Sequence, residues 1–319
     1  MIKFGAINID TSHPKSFSQY FETVEERGKY VAVYNDGFRG EDEVIGFATK
    51  RNLKICKSIE ELCDMVDVAI VHSCNWDKHL EQIKRVIATG KTVFVDKPIV
   101  GNMRDLDEFM ALANGGADII GTSALRYCDE VVNLKASMKE KGLVPMHTIV
   151  TVGVDDFNYA IHAVEMILEI NKGTDPVSVT YLGEQKMGAL TRRNFLIKFE
   201  NGATAEYVTV DGKFMMFNTI VITNTTEGST DHCFYTDNKQ FYRAMMEKVI
   251  ERMEGVRDVL TTCEDMAKSI KVMLAGKASL DLSAGEVKLD SPLLYEVSYD
   301  GNAFEREYAA AASKMYTNL

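Results

Sequence analysis

The stretch that most constrains this chain runs from Val66 to Val100, VDVAIVHSCNWDKHLEQIKRVIATGKTVFVDKPIV. Val66–Val71 is a short apolar run rich in β-branched residues, as a strand covered on both faces requires. Leu80, Ile83, Val86 and Ile87 then recur at the spacing of one helical face, and Gly90 stops that helix. Thr92–Val95 is a second buried strand. Two like strands joined through a helix form a parallel β-α-β unit, and such sheets bind ligands at the C-terminal ends of their strands. Asn75 follows the first strand and Asp96-Lys97-Pro98 the second, so both polar groups belong at that edge.

This segment resembles the glucose–fructose oxidoreductase / inositol dehydrogenase (Gfo/Idh/MocA) family. There a Thr-Pro-Asn loop, a helix entered through a histidine, and a Glu-Lys-Pro after the next strand occur in this order. Asn75, His79 and Asp96-Lys97-Pro98 stand at the matching positions; Ser73-Cys74 replaces Thr-Pro, and Asp96 replaces Glu. The resemblance implies an NAD(P)-dependent oxidoreductase acting on a CH–OH group of a sugar, polyol or derivative. Relatives that cleave glycosidic bonds through transient oxidation share the architecture.

The 319 residues suffice for two domains, each with its own core. A net charge of −11 argues against a nucleic-acid or anionic-membrane partner, because phosphate binding needs clustered Lys and Arg. No apolar run approaches the ~20 residues that span a bilayer. The N-terminus shows no basic region followed by an apolar core, so no secretory signal is expected. Six cysteines (Cys56, Cys63, Cys74, Cys128, Cys233, Cys263) form no Cys-x-x-Cys pair, which points to free thiols in a reducing cytoplasm. His162 and Glu165 are at helical spacing, but Asp155 and Asp156 precede the helix, so no metal centre is expected.

Residues 1–123 alternate strand and helix, with strands at Lys3–Ile9, Tyr30–Tyr34, Lys54–Cys56, Val66–Val71, Thr92–Val95 and Asp118–Thr122. Helices include Pro14–Arg27 and Ile59–Met65, the latter capped by Ser58 with Glu61 as its capping-box partner. The alternation specifies an α/β domain of Rossmann type, a doubly wound parallel sheet. Residues 124–319 read as an α+β domain. Helices Asp129–Lys141 and Asn158–Ile170 flank a strand at His147–Val154. Strands follow at Val177–Gly183, Arg193–Glu200, Ala203–Val210 and Phe217–Thr223. Asn201-Gly202 predicts a two-residue hairpin, and hence a largely antiparallel sheet. Helices Asn238–Glu254 and Thr262–Ala275, a strand at Leu293–Ser298 and a helix at Ala303–Tyr316 complete the chain. That terminal helix can pack back on the first domain.

At Asn8-Ile9-Asp10-Thr11-Ser12-His13 the family normally carries a glycine-rich loop, and all three glycines are replaced. Asparagine adopts a left-handed turn at modest cost, so Asn8 is tolerable. Asp10 is harder to place, since a carboxylate ~5 Å from a phosphate charge costs roughly 3 kcal/mol at an effective dielectric of 20. Thr11, Ser12 and the helix opening near Pro14 offer donors to an anion. After the second strand, Asp36 either accepts from ribose hydroxyls, favouring NAD over NADP with Arg39 softening the preference, or is a turn residue before Gly37. The resemblance implies cofactor contacts from Asn8, Ile9, Asp10, Thr11, Ser12 and Asp36, and from Ser73, Asn75, His79, Asp96 and Lys97.

On the substrate side the family uses the motif lysine with an aspartate and a histidine four apart on a second-domain helix. Lys97 and His162 match, Glu165 matches an acid three residues later, and Asn158 stands for the aspartate. Spacing of four places Asn158 and His162 on one face. Arg126 and Tyr127 follow the sixth strand as candidate substrate contacts, and His13 lies at the cleft mouth. Trp76 either walls the cofactor pocket or packs. Apolar Phe214, Met216 and Phe217 suggest a homo-dimer or homo-tetramer built through the second sheet. A rival reading stands beside the enzyme: a ligand-binding or regulatory member that kept the fold and lost turnover, with altered or absent dinucleotide binding.

Overall fold

A computed structural model describes residues 1–24, 26–224, 231–236 and 241–315. Six strands form the first sheet: β1 (Ile2–Ile7), β2 (Gly28–Tyr34), β3 (Lys54–Ile55), β4 (Val68–Val71), β5 (Thr92–Val95) and β6 (Ile119–Gly121). Their order is β3-β2-β1-β4-β5-β6 and every pairing is parallel. Each residue of β4 and β5 is buried, which explains their unbroken apolar runs. Helices α1 (His13–Phe21), α2 (Glu41–Arg51), α3 (Ile59–Cys63), α4 (His79–Ile87) and α5 (Met103–Asn114) make the crossovers. Ser58 caps α3 by accepting from the Glu61 N–H at 3.1 Å, as its sequence predicts. α1 is shorter than expected. The Thr23 hydroxyl donates to the Tyr20 carbonyl, and such side-chain bonds compete with a continuing helix.

The second domain opens with α6 (Asp129–Lys141), β7 (Pro145–Val154) and α7 (Ala160–Ile170). Strands β8 (Pro176–Met187), β9 (Leu190–Phe199), β10 (Thr204–Asp211), β11 (Asn218–Thr223) and β12 (Asp231–Tyr235) follow, then α8 (Phe241–Met253), α9 (Cys263–Asp281), β13 (Glu286–Lys288) and α10 (Gly301–Met315). The sheet order is β12-β11-β7-β10-β9-β8-β13, antiparallel except between β7 and β10. Every residue of α7 is buried between this sheet and the rest of the chain.

Several boundaries depart from the sequence reading. Asn201-Gly202 does turn between β9 and β10, but through a longer loop: Phe199 N–H donates to Ala203 O at 3.0 Å, with Gly202 at φ +87°. α9 runs past Gly276, where any Cβ would collide with the Tyr207 hydroxyl, so that glycine serves close packing rather than a helix stop. The strand expected at Leu293–Ser298 is a 3-10 turn over Pro292–Glu296, because Ser291 caps it and Pro292 opens it. β12 and β13 were not anticipated. The expected helix start at Asn238 and end at Tyr316 lie outside the described residues.

Candidate active site

The C-terminal ends of β1, β2, β4 and β5 converge, and their side chains close on one another. Asn8 sits at φ +68°, taking the left-handed conformation that a glycine normally supplies. It belongs to a closed hydrogen-bond ring. Asp36 N–H donates to Asn8 Oδ1 (2.8 Å), Asn8 Nδ2 to Ser73 Oγ (2.8 Å), Ser73 Oγ to Gln82 Oε1 (2.7 Å), and Gln82 Nε2 to Asp36 Oδ1 (3.3 Å).

Asp10 is fully buried beneath this ring. Its Oδ2 accepts from Cys74 N–H at 3.2 Å, while Oδ1 has no hydrogen-bond partner among the described residues. A Cβ at position 37 would collide with Oδ1, so Gly37 makes room for the carboxylate. Burial pushes the Asp10 carboxyl up to about 6; the Cys74 N–H opposes this, neighbouring Glu305 adds to it, and Lys78 and Arg39 also oppose it. The carboxylate is thus turned toward the ends of β2 and β4.

Between the domains lies a cavity of about 210 Å³, bordered by Thr11, Ser12 and Ser73 of the first domain and by Asn158, Tyr159 and His162 of the second. Lys97 projects into it from the end of β5. Its Nζ donates to the main-chain and side-chain oxygens of Asn158, at 2.8 and 2.9 Å, and lies over the Tyr159 ring. Burial lowers the Lys97 pKa, and the charges of Asp96 and Asp155 oppose that shift. His162, on α7, meets Ser123 Oγ through Nδ1 at 2.5 Å. Burial, then the Lys97 and His13 charges, hold its pKa well below the usual histidine range, so the ring is neutral. Where Nδ1–H donates to Ser123, Nε2 is left as an acceptor.

Asp96 anchors the cavity floor. Its Oδ2 meets Nδ1 of both His13 (2.5 Å) and His72 (3.1 Å), and its Oδ1 accepts from Lys97 N–H. Burial alone would raise the Asp96 pKa, but the two histidines pull it well below the usual carboxylate range. The chain of contacts continues outward, from His13 Nε2 to the Tyr242 hydroxyl and from His72 Nε2 to the Tyr30 hydroxyl, each at 2.8 Å.

The structure therefore gathers Lys97, Asn158, His162, Thr11, Ser12, Ser73 and Asp96 at one cavity. It does not bring Arg126 there. That guanidinium is buried among Glu165, Glu169 and Ser269, and Tyr127 accepts through its hydroxyl from Thr261 N–H. His79 is buried with both ring nitrogens on carbonyls, Ser73 O and Ile99 O, so it ties two strand-end loops together rather than facing a ligand. Asn75 is buried and spends its side chain on Asp77, Asn302 and Glu305. Ile9 is buried, its N–H on Asn35, and of the loop set Ser12 and Asp36 are exposed. Arg39 turns inward to the Asp10 carbonyl and Glu43. Trp76 packs on Phe157 and Phe304. Phe214, Met216 and Phe217 border the cavity, not the outer sheet face.

Sequence reasoning missed His72, Ser123, Tyr242 and the part played by Asp155. Asp155 accepts from Phe157 and Tyr159 N–H groups ahead of α7, so Asn158 sits in the turn before the helix rather than on it. Its buried charge near Lys97 supplies the negative potential that Asn158 lacks. An aspartate two residues before a turn is a legible capping pattern. Nothing in the sequence marks Tyr242.

Residues 5–121 match the model of an oxidoreductase family with an NAD-binding Rossmann fold, Gfo/Idh/MocA. The first domain is thus similar to the NAD-binding domain of that family. No curated protein matches the sequence at a significant level. Solved structures resemble it across both domains. A putative myo-inositol dehydrogenase from Sinorhizobium meliloti is 12% identical with a TM-score of 0.75, covering 91% of this chain and 100% of its own. The scyllo-inositol dehydrogenase from Lactobacillus casei, with bound NAD(H) and scyllo-inositol, is 15% identical with a TM-score of 0.74 over the same shares. A probable dehydrogenase from Thermotoga maritima is 17% identical with a TM-score of 0.75, covering 91% and 99%. At these identities the likeness is one of fold.

A dinucleotide on this fold crosses the crevice where strand order reverses, between β1 and β4. At the cavity end the residues fit such a group: Thr11, Ser12 and the N-terminus of α1 border it beside Lys97. At the ring formed by Asn8, Ser73, Gln82 and Asp36 they do not, because those side chains bond one another.

Proposed function

We propose that the protein is an NAD-dependent oxidoreductase acting on a CH–OH group of a sugar, polyol or derivative. One observation carries the reading: Lys97 Nζ is held on Asn158 at the turn leading to His162, and all three border one interdomain cavity. Thr11 and Ser12, with the N-terminus of α1, are the groups that would hold the dinucleotide at the cavity end. When bound, it supplies the hydride acceptor or donor. The chain itself must handle the hydroxyl proton. Neutral His162 is the base, and the Lys97 ammonium stabilises the oxygen as it loses its proton. Exposed Asp36 repels a 2′-phosphate, and Arg39, turned away, does not offset it. This favours NAD over NADP.

The test is a panel of polyols and sugars with oxidised NAD, followed by absorbance of the reduced nicotinamide. Turnover of at least one is expected. A second reading, a ligand-binding member without turnover, draws on Asn8 and Asp10 filling the loop where glycines would stand. Firm NAD binding without turnover across the panel would favour it.

A further inference from the structure

We propose that α10 is an internal occupant of the adenosine half of the dinucleotide crevice, so that the cofactor binds only in molecules whose α10 has swung away. The inference rests on the cofactor reading above and concerns access to that same site.

The docking of α10 is built from specific contacts to the β4–α4 loop. Asp77 Oδ2 accepts from the N–H groups of Gly301 and Asn302, at 3.0 and 3.2 Å, and from Asn302 Nδ2 at 3.0 Å. The carboxylate therefore sits on the first turn of the helix, where N–H groups lack helical partners and negative charge is favoured. One turn further, Glu305 receives Lys78 Nζ at 2.8 Å and Asn75 Nδ2 at 2.9 Å. Phe304 packs against Trp76, with centroids 4.9 Å apart, and Tyr308 meets Phe38, just past the end of β2, edge-on at 6.1 Å. Trp76 Nε1–H also donates to Tyr299 O at 2.8 Å, fixing the segment that leads into the helix.

These contacts fall where a dinucleotide's adenosine half belongs. The crevice opens beyond the strand ends on either side of the order reversal, the first residues reached being those after β1, β2 and β4. α10 uses Asn75 and Lys78 after β4 and Phe38 after β2, while Phe304 and Tyr308 close one wall of the cavity. The cavity left, about 210 Å³, falls below the roughly 300–1,000 Å³ of ordinary ligand clefts. Glu305 adds an electrostatic bar. Its carboxylate lies within 4.8 Å of Asp10 and Cys74 ligand atoms, so two acids flank the path of a pyrophosphate.

A ligand that binds only the open form has its apparent affinity reduced by the open fraction. If α10 is docked nine-tenths of the time or more, the loss is at least about tenfold. The experiment is isothermal calorimetry with NAD on the full chain and on a variant ending at Asp300, with circular dichroism to check folding. A second variant, Phe304→Glu/Tyr308→Glu, keeps the whole chain but makes docking against Trp76 and Phe38 unfavourable. Tighter NAD binding by about tenfold or more in either folded variant is expected. Equal, measurable affinity in the full chain and in both folded variants would overturn the inference and leave the cofactor reading intact. Absence of NAD binding in all three would overturn the cofactor reading and the inference with it.

Discussion

At the residue scale the most telling group is Asp10, an acid buried with one oxygen unpartnered among the described residues. Its folded pKa of about 6 stands above the ordinary 3.8, so ionising it costs the fold. The sign follows: its stabilising contribution is complete below about pH 4 and is lost as pH rises through 6. At 1.36 kcal/mol per pKa unit the loss is about 2–3 kcal/mol. Asp10→Asn removes that dependence. Urea unfolding should show the variant gaining on the parent between about pH 4 and pH 7.5 by this amount; a gap that does not change with pH would refute the assignment. Lys97 and His162 make a different kind of prediction, because they act on a substrate rather than on the fold. Lys97→Met and His162→Ala should each lose ~10²–10⁴-fold in turnover, the usual cost of a positioned proton-transfer group. NAD affinity should stay within a few-fold. Near-normal steady-state rates in both variants would remove the pair from the mechanism.

At the element scale, the 3-10 turn over Ala124–Tyr127 is pinned to α7 and α9 by one cation. Arg126 pairs with Glu165 and Glu169 and donates to Ser269 at 3.1 Å, all buried. Arg126→Leu leaves buried Glu165 without its cation, while Glu169 keeps Lys135, and should cost about 3–5 kcal/mol in chemical denaturation. Arg126→Leu/Glu165→Leu should recover part of it, and a double variant no better than the single would speak against a coupled pair. This element also shows where sequence reading stops. An arginine after a strand end looks the same whether it faces a cleft or a buried acid, and Glu165 and Glu169 lie 39 and 43 residues away. The centre of the first sheet was legible because β4 and β5 are covered on both faces and leave unbroken apolar runs. Asn8 and Lys97 were legible because left-handed backbone and a strand-end lysine are local properties. The ring through Asn8, Ser73, Gln82 and Asp36 was not, since four unremarkable polar residues meet only after three strands align. The expected helix end at Ala275 fell short for the same reason, since Gly276 packs on Tyr207 of another element and the helix continues to Asp281.

At the scale of the whole molecule, the second sheet has two unlike faces. Inward, Val150, Val152, Val221, Ala205, Ile197 and Val179 are all fully buried, against helices that include α7 and α9. Strand alternation sends the intervening residues outward, and the register aligns Ile220 of β11 with Ile149 of β7, then Glu206 of β10 and Leu196 of β9. Ile220 and Ile222 are 37% exposed and Tyr235 67%, so the outer face presents apolar side chains on β11 and β12, with Glu206 of β10 interrupting the row farther in. A face of this kind on a twisted sheet is self-complementary under a two-fold axis, and contiguous exposed apolar surface commonly marks such contacts. The interface expected from Phe214, Met216 and Phe217 thus moves to the outer face, because those three border the cavity. The prediction is a homo-dimer or homo-tetramer joined through β7, β9, β10 and β11. Light scattering at micromolar concentration should give a mass at least twice that of the chain. Ile220→Lys/Ile222→Lys, which leaves the inward row intact, should lower it toward the monomer without unfolding. A parent that is already monomeric would reject the interface, and an oligomer unmoved by the two lysines would place it on another face.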